Sequence, residues 1–254
     1  MAEKNIIGDD KAESFYQQSL KILNKSKIPY LVGGTFALTA YTCIRRPTKD
    51  MDIFCKAGDY PKILELFAAS GYKTKVEDER WLAKVFKDRR FFDIIYNSGN
   101  AATPVKDAWF QESQTEKIYD IQVKVLPVTE LIFSKAFIQE RNKYDGADIA
   151  HLILKKNKNI DWTRLLGYMD QNWEVLLMQL LNFRYVYPSE REIIPHWLMD
   201  ELIGRLQSQM KLPTSKMKVC RGRIFSGTDY EIDVKQWGFA DLVGGKNEPS
   251  EQPE

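Results

Sequence analysis

The chain is poor in the residues that most often announce chemistry on their own. Of its 254 residues only three are cysteine (Cys43, Cys55, Cys220) and two are histidine (His151, His196). An odd number of widely spaced cysteines fits neither a disulfide framework nor a zinc site, and it suits a reducing compartment. The two histidines are expected to be structural. No apolar run approaches the roughly 20 residues that cross a bilayer, and the charged N-terminus has no apolar signal core. An excess of one charge sign is missing too: 37 Lys and Arg stand against 35 Asp and Glu, so bulk charge points to neither a nucleic-acid nor a membrane partner. A Walker-type Gly-x-x-x-x-Gly-Lys is absent, which removes one familiar phosphate loop. The expectation is a cytoplasmic protein with no membrane partner.

What the chain has is the material for a core, with 44% hydrophobic residues. Phe15, Tyr16, Leu20, Ile22 and Leu23 recur at helical spacing and predict an amphipathic helix over residues 11–26. Apolar runs predict strands over 28–32 and 50–55. Residues 59–70 predict a helix stopped by Gly71. Alternating residues over 72–76, 81–87 and 90–96 predict an antiparallel meander, and 121–125 another strand. Helices are expected over about 129–140 and 145–154. From Asp161 onward Leu165, Leu166, Met169, Trp173, Leu176, Leu177, Leu180 and Leu181 repeat helically, so the second half is expected to be helical. The resulting division is a first domain over 1–156, a helical region over 157–243 and a disordered polar tail over 244–254.

The informative stretch is Tyr30-Leu31-Val32-Gly33-Gly34-Thr35, and fifteen residues intervene between Gly34 and Asp50-Met51-Asp52-Ile53. Side chains alternate along a strand, so Asp50 and Asp52 are expected on one face with Met51 and Ile53 in the core. Asp93 sits in Phe91-Phe92-Asp93-Ile94-Ile95, where a bare carboxylate is costly unless it is paired or bound to a cation. A salt bridge to Arg89 or Arg90 is the ordinary structural alternative. Taken singly, a double glycine, an Asp-x-Asp and a lone acid are each commonplace.

Their order is more specific. Strand, Gly-Gly, helix, an arginine-bearing loop, Asp-x-Asp and a third Asp on a later strand resemble the polymerase-β-like nucleotidyltransferases over about residues 28–97. The segment Leu126-Pro127 through Leu131, Lys135, Arg141 and Lys143 to Ile149 resembles the bacterial branch related to abortive-infection and toxin nucleotidyltransferases, which extends the likeness to about residue 154. Phosphatases of the haloacid-dehalogenase type and many sugar-nucleotide glycosyltransferases also use Asp-x-Asp, but there an apolar strand precedes the acids. Here Arg45-Arg46-Pro47-Thr48-Lys49 precedes them. Two features depart from the resemblance: many relatives have Gly-Ser where this chain has Gly33-Gly34, and the spacing to Asp50 is long.

The resemblance implies an α/β (α+β) nucleotidyltransferase fold, a short mixed sheet flanked by helices and followed by a helical C-terminal region. It implies transfer of a nucleoside monophosphate from a nucleoside triphosphate to a hydroxyl of RNA, such as tRNA, of a protein or of a small molecule. Asp50, Asp52 and Asp93 would be the catalytic acids and the ligands of Mg²⁺, with Mn²⁺ as an alternative, because two such ions about 3.5–4 Å apart stabilise the attacking and leaving oxygens. Gly33, Gly34 and Thr35 would hold the triphosphate, where backbone N–H groups and a helix N-terminus favour phosphate. Lys135 is expected to reach a phosphate, and Arg45, Arg46 or Lys49 to touch nucleotide or acceptor. Asp145 and Asp148 also fit a plain helix cap and first turn. The competing hypothesis is a non-catalytic, antitoxin-type binding module that keeps the fold; such degenerate members usually lose an acid, and here all three are present.

Overall fold

A computed structural model describes residues 10–48 and 50–243. Lys49 and the expected tail over 244–254 lie outside the described residues, as does the extreme N-terminus. Seven strands form one mixed sheet: β1 (Leu31–Val32), β2 (Asp52–Phe54), β3 (Lys73–Asp78), β4 (Leu82–Lys87), β5 (Arg90–Ile95), β6 (Gln114–Ile118) and β7 (Ile121–Val125), in the spatial order β3-β4-β5-β2-β1-β7-β6. β3, β4 and β5 make the expected antiparallel meander. β2 runs parallel to β5 and antiparallel to β1, and β1 runs parallel to β7. β6 was not foreseen: Gln-Thr-Glu-Lys-Ile carries little apolar pattern, and its partner β7 recruits it through a hairpin at Tyr119-Asp120, where both residues have positive φ.

Helices α1 (Asp10–Ser26), α2 (Gly34–Thr42) and α3 (Tyr60–Ala69) join the first strands. α1 buries Phe15, Tyr16, Leu20 and Leu23 and is tied to the sheet by Tyr16 Oη donating to the Phe91 carbonyl at 3.0 Å. α2 is apolar on most sides, with Phe36, Ala37, Leu38 and Tyr41 buried, and the Tyr41 hydroxyl donates to the Leu126 carbonyl at 2.9 Å. It ends at Cys43, whose left-handed backbone (φ 61°) turns the chain into the arginine loop. All three cysteines are free thiols.

α4 (Val128–Ala136) is shorter than expected, because residues 139–140 leave the helix and pair as β8 (Gln139–Glu140) with β9 (Lys143–Tyr144) in a hairpin. α5 (Gly146–Lys156), α6 (Trp162–Tyr168), α7 (Trp173–Val186) and α8 (His196–Gln209) follow. Leu165, Leu176, Leu180 and Leu202 belong to the same buried cluster as the sheet residues Val32, Ile53 and Ile94, so one core runs through the chain. The expected helical second half is present through Gln209, with a small addition. After α8 the chain forms β10 (Val219–Cys220) and β11 (Ala240–Asp241), paired in parallel, with the short helix Glu231–Lys235 between them. Among the described residues no helix is long and apolar enough to cross a membrane.

Candidate active site

The register of three strands puts the key side chains in one row. Asp52 on β2 is directly opposite Asp93 on β5, and Asp93 is directly opposite Lys84 on β4. Partners in register project from the same face, on strands about 4.8 Å apart. The row ends at the double glycine, where the Gly33 N–H donates to the Asp52 carbonyl at 2.8 Å.

The two glycines are there because β2 comes so close. A Cβ on Gly33 would lie 2.3 Å from a ring carbon of Phe54, and one on Gly34 would lie 1.8 Å from Asp52 Oδ2. Gly34 also has φ +54°, a left-handed conformation that costs other residues about 1–3 kcal/mol. Gly34 thus opens α2 with its backbone against the Asp52 carboxylate. Thr35 lies half-buried in the first turn of that helix.

Asp50 was expected within the strand, but β2 begins at Asp52. Asp50 precedes it in extended chain, with the Thr48 hydroxyl donating to its Oδ1 at 3.2 Å and the Asp93 N–H donating to the neighbouring Met51 carbonyl at 2.9 Å. Met51 and Ile53 are buried, as the alternation predicts. The partner of Asp93 is neither Arg89 nor Arg90. Lys84 Nζ donates to Asp93 Oδ1 at 2.6 Å while lying 4.3 Å from the centroid of the Phe91 ring. Lys84 escaped the sequence reading although a signal existed: the tight turn at Asp88-Arg89 between β4 and β5 fixes the pairing of 84 with 93.

A cleft of about 110 Å³ opens on this row, lined by Gly34, Asp52, Asp93, Ser98, Lys135 and Lys143 among others. Burial is the first cause that pushes the Asp52 carboxyl up to about 7; repulsion from Asp50 and then Asp93 adds to it, and Lys143 and Lys135 oppose it. Burial likewise raises Asp93, against the pull of Lys84. Lys143 is itself raised, because the acids Asp52, Asp145 and Asp50 outweigh the lowering effect of its desolvation.

Lys135 sits at the cleft wall in a buried ion cluster. Its Nζ donates at 2.7 Å to Asp145 Oδ2 and at 2.7 Å to Asp148 Oδ2, and Arg46 of the arginine loop also pairs with Asp148 Oδ2. Two cations therefore balance two acids. Asp145 does cap α5 by position, but its side chain makes no cap bond and instead takes Lys135. The cluster ties the loop before Asp50 to α4 and α5.

The remaining wall is the turn after β5. Gly99, Asn100 and Ala101 all have positive φ (62°, 53°, 74°), and the Ser98 hydroxyl is buried with no hydrogen-bond partner. Consecutive left-handed residues are costly and persist where the surrounding structure imposes them. At Gly99 the Phe137 ring would lie 2.9 Å from any Cβ.

Among the described residues no three His, Cys, Asp or Glu side chains form a ready-made metal cage. The donor chemistry nonetheless fits a divalent cation: all three acids are oxygen donors, and Asp52 lies under the repulsion of the other two, which a cation beside it would relieve.

No protein-family model matches this sequence, and no curated protein matches it. The fold is similar to that of several solved structures. One is the lincosamide antibiotic adenylyltransferase LnuA with lincomycin bound, at 19% identity and a TM-score of 0.41 over 55% of this chain and 94% of that one. Another is the antibiotic-resistance factor ANT(2'')-Ia, at 13% identity and a TM-score of 0.45 over 72% of this chain and 97% of that one. A third is an antigenic nucleotidyltransferase-like protein from Paracoccidioides brasiliensis, at 14% identity and a TM-score of 0.43 over 74% of this chain and 93% of that one.

Proposed function

We propose that the chain is a nucleotidyltransferase of the polymerase-β-like superfamily, which moves a nucleoside monophosphate from a nucleoside triphosphate to a hydroxyl group. The observation that carries this reading is the row Gly33-Gly34, Asp52, Asp93: a glycine-bared helix start for phosphate beside two carboxylates in register on parallel strands. Residues 1–156 supply this machinery in our reading, and residues 157–243 buttress it.

Asp50, Asp52 and Asp93 would hold Mg²⁺ or Mn²⁺, which when bound supplies Lewis-acid stabilisation of the attacking and leaving oxygens. The chain's own residues do the rest. Backbone at Gly33 and Gly34, with the first turn of α2 and Thr35, holds the triphosphate. Lys135 and Lys143 add positive charge at the cleft wall, Lys135 from its place between Asp145 and Asp148, since leaving that cluster would strand two buried acids at a cost of about 3–5 kcal/mol. The acceptor oxygen attacks the α-phosphorus and forms the new P–O bond as the bond to the bridging oxygen breaks and pyrophosphate leaves. Its proton passes to the Asp93 carboxylate, which Lys84 holds by Oδ1.

The test is incubation of the protein with each α-labelled nucleoside triphosphate, Mg²⁺ and, in separate arms, a tRNA pool, a protein extract and a small-metabolite extract. Labelled product and pyrophosphate are expected in one arm and absent with Asp52→Asn. Product from wild type and from Asp52→Asn in equal amount would refute the assignment of the acids.

A further inference from the structure

The cleft does not end at Asp93. It adjoins a cavity of about 530 Å³, and the two share Trp81, Asn100, Ile138 and Lys143. The strand order gives the cavity its place in the reaction. Moving across the sheet from β1, the phosphate-side glycines come first, then Asp52, then Asp93, and the cavity lies beyond, at the β3–β4 turn that carries Arg80 and Trp81. The acid placed to take the acceptor proton is thus the one nearest the cavity.

We propose that this cavity is the acceptor subsite and that it takes a small neutral glycoside, presented by one of its hydroxyl groups to Asp93. The proposal rests on the nucleotidyltransferase reading and adds the acceptor's chemical class. The size suits a small molecule. The volume falls within the roughly 300–1,000 Å³ of small-molecule pockets. The outer wall is the C-terminal segment over 219–243, which three hydrogen bonds fasten across the mouth. Asn100 Nδ2 donates to the Ile224 carbonyl at 2.7 Å, the Arg141 N–H donates to Asp229 Oδ2 at 3.1 Å, and Arg80 donates to the Val243 carbonyl at 3.4 Å.

The lining carries four cations, Arg80, Lys143, Arg223 and Lys235, against three acids, Asp78, Glu140 and Glu231, and Asp241 beside Arg223 supplies a fourth. Arg80 pairs with Asp78 at 2.8 Å, Lys235 with Glu231 at 2.7 Å, and Arg223 with Asp241 at 2.8 Å, while Lys143 stands opposite Glu140 in the β8–β9 hairpin. A balanced wall attracts neither a second polyanion nor a polycation. It does set donors beside acceptors, which is what hydroxyl groups need, since each both donates and accepts. Arg223 also lines the cavity, with its Nε buried and without a hydrogen-bond partner. Trp81 and Phe225 supply aromatic surface for the apolar face of a sugar ring.

The experiment is saturation-transfer NMR on the full chain with methyl α-D-glucoside, methyl β-D-galactoside and maltose, beside the polycation kanamycin and a tRNA pool, with Mg²⁺ and a non-hydrolysable ATP analogue titrated in parallel. At least one neutral sugar is expected to bind, about tenfold more weakly in Phe225→Ala and Arg223→Gln, with analogue binding unchanged. Phe225→Leu, which stays apolar and removes less volume than Phe225→Ala, is expected to melt close to wild type and still to weaken the sugar. The proposal is overturned if no neutral sugar binds, if both variants leave sugar binding intact, or if kanamycin or tRNA alone binds. Sugar binding without analogue binding would keep the pocket and remove the nucleotidyltransferase reading; the reverse would remove the pocket alone.

Discussion

The Asp52 carboxylate lies against the α-carbon of Gly34, leaving no room for a Cβ, which would fall 1.8 Å from Asp52 Oδ2. One short contact therefore couples the start of α2 to the central acid of the row. Gly34→Ala carries the cost of φ +54° and of displacing a short, buried side chain. A loss of about 2–4 kcal/mol in denaturant melts is expected, together with loss of nucleotide binding. Removing the obstructing group relieves the second cost, so Gly34→Ala with Asp52→Ala is expected to be less destabilised than the sum of the single changes. Strict additivity would show that the two residues do not touch. The same contact explains why a Gly-Ser pair, common where this chain has Gly-Gly, does not fit this backbone.

Asp52 also sets a pH dependence. Its carboxyl is raised from the ordinary 3.8 to about 7 in the folded chain, so between those values the folded state binds a proton that the unfolded state has released. The resulting stabilisation is complete below about pH 4 and is lost as pH rises through about 7. Metal-free protein is expected to lose a few degrees of melting temperature between pH 5 and pH 8 from this group. Asp52→Asn should flatten that slope and melt higher than wild type at pH 8, while nucleotidyl transfer is expected to be lost. Millimolar Mg²⁺ should restore wild type at pH 8 and leave Asp52→Asn unmoved. A slope that survives in Asp52→Asn would assign the effect to another group.

Lys84 holds the third acid through Asp93 Oδ1 at 2.6 Å. Lys84→Met is expected to lower kcat by about tenfold to a hundredfold with KM for the triphosphate nearly unchanged, because in the proposed reaction Asp93 takes the acceptor proton and does not bind the phosphates. Lys84→Arg should recover part of the rate. A pure KM effect would place Lys84 in nucleotide binding.

Lys135 separates a structural from a binding role. Its ammonium is enclosed with Asp145 and Asp148, and Lys135→Met leaves both acids with only Arg46 for balance. A destabilisation of about 3–5 kcal/mol is expected in urea melts. Lys135→Met with Asp145→Leu should regain much of it, and nucleotide affinity in that folded double variant then reads the contribution of Lys135 to the phosphates.

Much of this site was legible because it follows from local rules. The alternation through Asp50-Met51-Asp52-Ile53 puts Met51 and Ile53 in the core, and the hydrophobic periods locate six of the seven sheet strands and the helices α1 and α3. β7 matched over 121–125. What was not legible depends on distant parts of the chain. β6 has no apolar period and exists because β7 offers an edge to pair with. The helix expected to reach residue 140 stops at Ala136, since Gln139 and Glu140 pair with Tyr144 and Lys143. The wall over 219–243 has only two-residue strands and one short helix, too brief for a hydrophobic period, and is tied back by bonds to Asn100, Arg141 and Arg80 and by Arg221 to Gln171 and Asn172. Lys135 and Asp148 lie thirteen residues apart on two helices whose packing brings them together.

Calorimetric titration of the non-hydrolysable analogues of the four triphosphates, with and without Mg²⁺, tests most directly whether the acid row binds a metal-bound nucleoside triphosphate. At least one analogue is expected to bind saturably with a micromolar Kd in the presence of Mg²⁺, with affinity falling about tenfold or more in Asp52→Asn and when EDTA is added. Absence of saturable binding by all four in the presence of Mg²⁺, or equal affinity in Asp52→Asn, would contradict it.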